Sequence, residues 1–166
     1  MAFAEDVLIP AITGAVDDAM WRLEIVERLS ACLGRARATA LVAEWSALPG
    51  TVDQDVVVLL RQMRRRAPVV LLTNATSRLR QDLETLDIAK EFDAVISSAE
   101  TRVAKPSPGA FVVAAEVLGR LAGVPMDAGK LLLIDDTPAH VAAAEALGWR
   151  THLFTSAPSM RELLTG

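Results

Sequence analysis

Two adjacent carboxylates, Asp135 and Asp136, directly follow the apolar run at residues 131–134. Such a run is typical of a parallel strand buried on both faces, and open α/β sheets bind ligands at the carboxyl ends of their strands. Neighbouring carboxylates repel each other there unless a cation lies between them. A simpler interpretation is that one Asp, or Thr137, caps a helix beginning at Pro138. Because that leaves one acid unexplained, we favour a divalent metal site at Asp135 and Asp136.

Thr73, Asn74 and Lys105 can reach the same edge of the sheet. Thr73 and Asn74 end another apolar run, and parallel strands of one sheet end at a common edge. A hydroxyl with an adjacent backbone N–H can hold a phosphate oxygen, although both residues could equally start a turn and cap the next helix. Lys105 lies in a loop with two prolines. It could offset the carboxylate repulsion and bind a phosphoryl oxygen, although a loop lysine is more often a surface charge.

Helix and strand signals alternate along most of the chain. The predicted strands are 69–73, 93–98, 131–134 and an edge strand at 149–154, and the predicted helices of this part are 53–66, 77–86, 109–122, 138–147 and 158–164. Short connections between alternating helices and strands predict an α/β fold with a doubly wound parallel sheet.

The first fifty residues carry helical signals without strands. We predict helices at 17–32 and 37–46, with Trp21 and Trp45 packing between helices and Cys32 in the core. The predicted organisation is a helical segment at 1–50 followed by an α/β core at 51–166.

Composition excludes several classes of protein. The chain has 166 residues, 52% of them hydrophobic, with a net charge of −4. This is typical of a globular domain and gives no sign of a nucleic-acid or membrane partner. A single cysteine, no apolar run of ~18 residues and no basic start of a signal peptide predict a cytoplasmic protein. His140 and His152 lack a second ligand at metal-binding spacing, so we interpret both as structural.

The sequences LLTNAT, VAKPSPGAF and LLLIDDTPAHVAAAEALGW, in this order, closely resemble the Ser/Thr, lysine and acidic motifs of the haloacid dehalogenase (HAD) superfamily. The resemblance covers about residues 52–155, and 14–48 resembles the small helical cap that many members insert after their first strand. It implies the Rossmann-like HAD fold and a Mg²⁺-dependent phosphatase acting on a small phosphorylated molecule.

The resemblance also implies a role for each motif residue. Thr73 would hydrogen-bond the transferring phosphoryl group, and Asn74 would lend its backbone. Lys105 would steady the nucleophile and the phosphate. Asp135 and Asp136 would hold Mg²⁺.

One element of the HAD pattern is missing from this sequence. Family members begin with an apolar strand ending in Asp-x-Asp, whose first Asp is the nucleophile. The nearest residues here, Glu5 and Asp6, follow no apolar strand and have no acid at i, i+2 spacing. We therefore expect a truncated or impaired hydrolase. The alternative is a non-catalytic binding module that keeps the metal- and phosphate-binding groups.

The missing strand would lie between the strands ending at Thr73 and Asp135 in the HAD fold. Its loss would leave these strands about 9–10 Å apart, with costly unpaired backbone groups. The two strands could pair directly, residues 2–9 could fill the gap, or another chain could supply a strand. Pro10 argues against the second possibility. A fourth is that the true start lies upstream. An incomplete sheet also makes self-association possible.

Overall fold

The computed structural model describes residues 4–48 and 50–165. Its helices are α1 (Glu5–Ile12), α2 (Asp18–Leu33), α3 (Arg35–Ser46), α4 (Gln54–Arg64), α5 (Leu79–Thr85), α6 (Ser98–Thr101), α7 (Pro108–Ala122), α8 (Pro138–Ala146) and α9 (Ala157–Thr165). Its strands are β1 (Val70–Thr73), β2 (Ala94–Ser97), β3 (Leu132–Asp135) and β4 (Arg150–Leu153). In the described part of the chain, no helix is both long and apolar enough to cross a membrane.

Side-chain caps fix the starts of two of the helices. The Asp17 carboxylate accepts a hydrogen bond from the Met20 N–H at 2.7 Å and begins α2. Asp53 accepts from the N–H groups of Asp55 and Val56 and begins α4. A short acidic side chain is well suited to this position because it satisfies N–H groups that lack a partner within the helix.

The strands form two parallel pairs. β1 pairs with β2 from Val70↔Ala94 to Thr73↔Ser97, and β3 pairs with β4 from Leu132↔Arg150 to Asp135↔Leu153. Across the described residues, no ladder joins β1 to β3. The α/β fold with parallel strands is therefore confirmed, but the sheet is divided into two halves.

The division of the sheet tests two of the possibilities raised by the sequence. Direct pairing of the strands that end at Thr73 and Asp135 is wrong, because β1 and β3 belong to separate ladders in the described residues. Residues 5–9 do not fill the gap, because they belong to helix α1. Residues 2 and 3 lie outside the described residues.

Helices on both faces hold the two half-sheets together. Phe111 of α7 shares one buried cluster with Ile96 of β2, Leu133 of β3 and Trp149. A second cluster on α4 and α9 includes Leu59 and Met160, and Ile134 of β3 packs against it. The core therefore bridges the gap through side chains rather than backbone hydrogen bonds.

The N-terminal helices have a buried cluster of their own. It consists of Val7, Ala11, Trp21, Ile25, Val26, Ala38 and Val42. Trp21 and Trp45 pack edge to face with ring centroids 5.7 Å apart, as predicted. The prediction that Cys32 is buried is wrong: Cys32 is exposed, because the buried residues of α2 lie before its last turn. The domain boundary between residues 50 and 51 stays a prediction.

Gly14 marks a close approach between the N-terminal helices and the segment after β2. Its φ is +69°, and a Cβ placed there would lie 2.1 Å from the backbone oxygen of Ala99. We expect Gly14→Ala to lower the free energy of unfolding by about 3 kcal/mol or more, since backbone must move.

Gly123→Ala is the matched control for this variant. Gly123 has a similar φ of +72°, but nothing lies within 4 Å of the position that a Cβ would take there. Only the left-handed backbone penalty, about 1–2 kcal/mol, should apply to this variant. Urea denaturation compares the two variants, and equal losses would contradict the close approach at Gly14.

Candidate active site

Thr73 and Asp135 are the last residues of β1 and β3, and Lys105 lies in the segment between α6 and α7. The Lys105 Nζ lies 2.5 Å from Asp135 Oδ2, and the two side chains are only 8% and 6% exposed. The opposite charges are thus paired where water has little access. Removing either partner would leave an uncompensated buried charge.

The Asn74 side chain holds the backbone of Lys105. Its Nδ2 donates to the Lys105 carbonyl oxygen at 2.8 Å, and its Oδ1 accepts from the Lys105 N–H at 2.8 Å. Two reciprocal hydrogen bonds fix both position and orientation of the loop. The resemblance implied that Asn74 contributes its backbone. The structure shows a side-chain contact that sequence reasoning missed.

Asp135 accepts hydrogen bonds from several elements at once. Besides Lys105, the Thr137 N–H donates to its Oδ1 at 2.9 Å, and His140 Nδ1 lies 3.0 Å from the same oxygen. Burial raises the pKa of Asp135, but hydrogen bonds from Lys105, Thr137 and His140 lower it more, so the net pKa lies below its ordinary value. The carboxylate is therefore ionised at neutral pH.

His140 belongs to this cluster although the sequence suggested only a structural role. The signal that could have revealed it is its position in the first turn of α8, five residues after Asp135. A strand that turns directly into a helix brings that turn back over the strand end. His152, in contrast, contacts Ser159 Oγ at 2.9 Å.

Asp136 differs from Asp135 in its surroundings. It is exposed, and its carboxylate accepts a hydrogen bond from Thr137 Oγ1 at 3.3 Å. Thr73, Lys105, Asp135 and Asp136 all line one cavity of about 460 Å³ between β1 and β3. The structure therefore brings these four predicted site residues together, and the Asn74 side chain holds the backbone of Lys105.

The donor set fits Mg²⁺ only in part. Within the described ranges, no group of three or more His, Cys, Asp or Glu side chains converges on one point. Mg²⁺ is commonly held by one or two carboxylates and completes its shell with water and phosphate oxygens. Asp136, exposed at the cavity, and Asp135 beside it would supply such a pair. Chemically, the pair suits an ion that is otherwise coordinated by solvent and substrate.

The structure also places Glu5 and Asp6, the two acids nearest the N-terminus. Glu5 and Asp6 lie in the first turn of α1 rather than at a strand end. Asp6 pairs with Arg28 of α2 at 2.9 Å, and this hydrogen bond is the main cause of its lowered pKa.

A model of the haloacid dehalogenase-like hydrolase family matches residues 9–148. The chain belongs to this family. Among curated relatives, human N-acylneuraminate-9-phosphatase is 30% identical over 88 residues, which cover 52% of this chain and 33% of the relative. The rat protein of the same name is 28% identical over the same length. The chain thus spans about a third of the length of the curated relatives it matches.

Solved HAD structures share the fold. A HAD family enzyme from Bacteroides thetaiotaomicron matches with a TM-score of 0.74 at 19% identity, covering 98% of this chain and 79% of that chain. The same enzyme in complex with magnesium and inorganic phosphate matches with a TM-score of 0.70 at 21% identity, covering 93% and 77%. The L-2-haloacid dehalogenase of Xanthobacter autotrophicus matches with a TM-score of 0.61 at 23% identity, covering 98% and 66%. The Rossmann-like HAD fold is confirmed.

Proposed function

We propose that this chain is a phosphatase-type HAD hydrolase that binds Mg²⁺ and a small phosphorylated molecule, and that these 166 residues by themselves show little turnover, because they contain no apolar strand that ends in Asp-x-Asp. The observation that carries the proposal is the arrangement of Thr73, Lys105, Asp135 and Asp136 around one cavity. The phosphatase named among the curated relatives and the magnesium- and phosphate-bound structure of a HAD neighbour support it.

Each residue has a distinct part in this proposal. The Asp135 and Asp136 carboxylates would hold Mg²⁺, and the ion, when bound, would supply positive charge next to the phosphoryl oxygens. The Thr73 hydroxyl would donate a hydrogen bond to a phosphoryl oxygen. The Lys105 ammonium keeps Asp135 ionised and would contribute a second donor to the phosphate. Asn74 fixes the Lys105 backbone, which limits the freedom of the loop.

Phosphoryl transfer through a covalent intermediate requires a carboxylate in line with the phosphorus atom. A cation, a hydroxyl and an ammonium can bind and polarise the phosphate, but they cannot replace that carboxylate. This is the physical reason for expecting binding with little turnover. The comparisons give no support to the alternative of a non-catalytic binding module. A cytoplasmic location, self-association and the absence of nucleic-acid or membrane partners stay predictions.

The experiment measures turnover and binding separately on the purified chain. Hydrolysis of p-nitrophenyl phosphate with Mg²⁺ should not exceed background. Mg²⁺ should nevertheless raise the melting temperature by about 3 °C at ten times its Kd, and Asp136→Asn should remove this rise. Inorganic phosphate should add a further rise that Thr73→Val reduces.

Asp127→Asn is the control for the charge change. Asp127 is an exposed acid paired with Lys130 away from the cavity, so its variant should keep the full response to Mg²⁺. Turnover that disappears in Asp136→Asn would overturn the proposed impairment. A melting temperature that does not respond to Mg²⁺ would overturn the metal site.

A further inference from the structure

A second cavity, of about 270 Å³, lies where the N-terminal helices meet the α/β core. The loop between α1 and α2, the segment after β1 and the end of β2 line it, and its polar residues are Asp17, Thr76, Ser77, Ser97 and Glu100. In the described part of the chain, no residue that lines it also lines the cavity between β1 and β3. One water molecule takes about 30 Å³ in the liquid, so this cavity has room for a small organic molecule.

The Ser97 hydroxyl points into this cavity without a hydrogen-bond partner. Ser97 is 2% exposed, and its Oγ bonds to no donor or acceptor among the described residues. The preceding residue, Ile96, packs in the cluster around Phe111 of α7. Because successive residues of a strand point to opposite faces, the Ser97 side chain points away from α7 and into the cavity that it lines. A buried hydroxyl without a partner costs free energy, and a ligand that bonds to it would recover that cost.

Two carboxylates stand at the mouth of the cavity. Asp17 and Glu100 line it and are exposed, in contrast to Ser97. Asp17 caps α2, and Glu100 accepts from Arg80 through both oxygens at 2.6 and 2.8 Å. An ionised carboxylate has about four acceptor positions, so each can accept further hydrogen bonds. Among the described lining residues there is no Lys, Arg or His, so the mouth is rich in acceptors and carries negative charge.

The walls of the cavity are joined by two hydrogen bonds to Asp18, the first residue of α2. The Thr76 hydroxyl donates to the Asp18 carboxylate at 2.7 Å, and the Ser77 hydroxyl accepts from the Asp18 N–H at 3.0 Å. These bonds fix the start of α2 against the segment after β1. The cavity is therefore formed before a ligand binds, which lowers the cost of ordering its walls.

We propose that this cavity is a binding site for a small amino alcohol, a molecule that carries a protonated amine close to hydroxyl groups. A ligand hydroxyl would bond to Ser97 Oγ, and the ammonium would donate charge-assisted hydrogen bonds to Asp17 and Glu100. The inference goes beyond the proposed function, because it requires neither Mg²⁺ nor phosphate and uses no residue of the candidate active site. A bound ligand would also fasten the N-terminal helices to the end of β2.

Three compounds of equal size test the ligand chemistry. 2-Amino-1,3-propanediol carries an ammonium and two hydroxyls, glycerol has a hydroxyl in place of the amine, and 3-aminopentane has methyl groups in place of the hydroxyls. Each is titrated into the ¹⁵N-labelled chain at pH 7, in buffer free of Mg²⁺, phosphate and primary amines, and amide chemical shifts are followed. We expect a Kd of about 2 mM for the amino diol and roughly fivefold or weaker binding of the other two compounds. The amides of Asp17 and of residues 97–100 should shift.

Ser97→Ala tests the buried hydroxyl. It should weaken binding of the amino diol by about fivefold or more, and it should not lower the melting temperature, because Ser97 Oγ has no partner to lose. Ser98→Ala is the matched control. Ser98 is also 2% exposed, but its Oγ accepts from the Ala75 N–H at 3.1 Å. This control should lower the melting temperature and leave the Kd within about twofold.

Asp17→Asn tests the negative charge at the mouth. Asn caps a helix as well as Asp does, so the variant should fold and weaken binding of the amino diol by about fivefold. Asp55→Asn removes an acid in the first turn of α4, outside the cavity, and should leave the Kd unchanged. Equal affinity for the three compounds, or no shift at about 50 mM, would overturn the site. Glycerol binding as tightly as the amino diol would overturn the cationic ligand, and an affinity that neither Ser97→Ala nor Asp17→Asn changes would overturn the location.

Discussion

Lys105→Met should lower the free energy of unfolding by about 3–5 kcal/mol, the loss expected when one partner of a buried ion pair is removed. Both side chains of the pair are almost inaccessible, at 8% and 6% exposure for Lys105 and Asp135. The variant keeps most of the apolar stem but leaves the Asp135 carboxylate without its cation. Urea denaturation at pH 7 in Mg²⁺-free buffer measures the loss.

Two further variants distinguish the stability lost by leaving a buried charge unpaired from the stability lost by removing any lysine. Lys130 pairs with Asp127 at 3.1 Å where both side chains are more than two-thirds exposed, so Lys130→Met should cost about 0–1 kcal/mol. The double variant Lys105→Met with Asp135→Asn should lose less than Lys105→Met alone, because no unpaired charge remains. An equal loss in Lys105→Met and Lys130→Met would mean that the Lys105–Asp135 pair is solvated, which would contradict the burial that the structure shows.

The contribution of the pair should also depend on pH. The folded-state pKa of Asp135 is lowered, so the ionised carboxylate stabilises the fold above the unfolded pKa of about 3.9. This contribution is lost as the pH falls through the lower folded-state pKa. The difference in stability between the natural protein and Lys105→Met should therefore be largest near neutral pH and shrink below about pH 4.

The parts of the fold that could be predicted are those set by residues close together in the sequence. The apolar run 131–134 predicted β3, and the predicted helices 17–32 and 53–66 correspond to α2 and α4, which Asp17 and Asp53 cap. These features depend on residues close in sequence, where backbone sterics and capping decide the structure. The proximity of Thr73 and Asp135 followed from the rule that parallel strands end at one edge of a sheet, whereas the place of Lys105 beside them was implied by the family resemblance.

The contacts that sequence reasoning missed depend on side-chain geometry between distant segments. Asn74 and Lys105 are 31 positions apart, and nothing in either segment indicates that an amide side chain would face a backbone. Cys32 followed the helical period of α2, but the period does not show where neighbouring helices stop covering that face. The sequence raised a gap between β1 and β3 together with several ways to close it, and it did not show that helices packed across the two half-sheets would leave the strands unpaired.

Phe111 is a large side chain in the packing between the helices and both half-sheets. It is fully buried in α7, lies edge to face with Trp149 at 5.7 Å, and shares a cluster with residues of β2 and β3. Phe111→Ala should lower the free energy of unfolding by about 3–5 kcal/mol, since it removes apolar contacts and leaves a cavity. Val112→Ala is the control. Val112 is the next residue of the same helix and is 52% exposed, so its variant should stay within about 0.5 kcal/mol.

The effect of Phe111→Ala should extend to both half-sheets. No backbone ladder joins β1 to β3 in the described residues, so helix side chains are the main connection between the halves. Amide hydrogen exchange should therefore accelerate in β1 and β3 together, whereas Val112→Ala should leave both unchanged. Acceleration confined to β3 and β4 would contradict the bridging role, because it would mean that the β1–β2 half keeps its structure without the Phe111 contact. Acceleration in all four strands would place the stability of the candidate site on this helix. Thr73 and Asp135 belong to opposite halves, and Lys105 is held both by Asn74, which follows β1, and by Asp135 of β3.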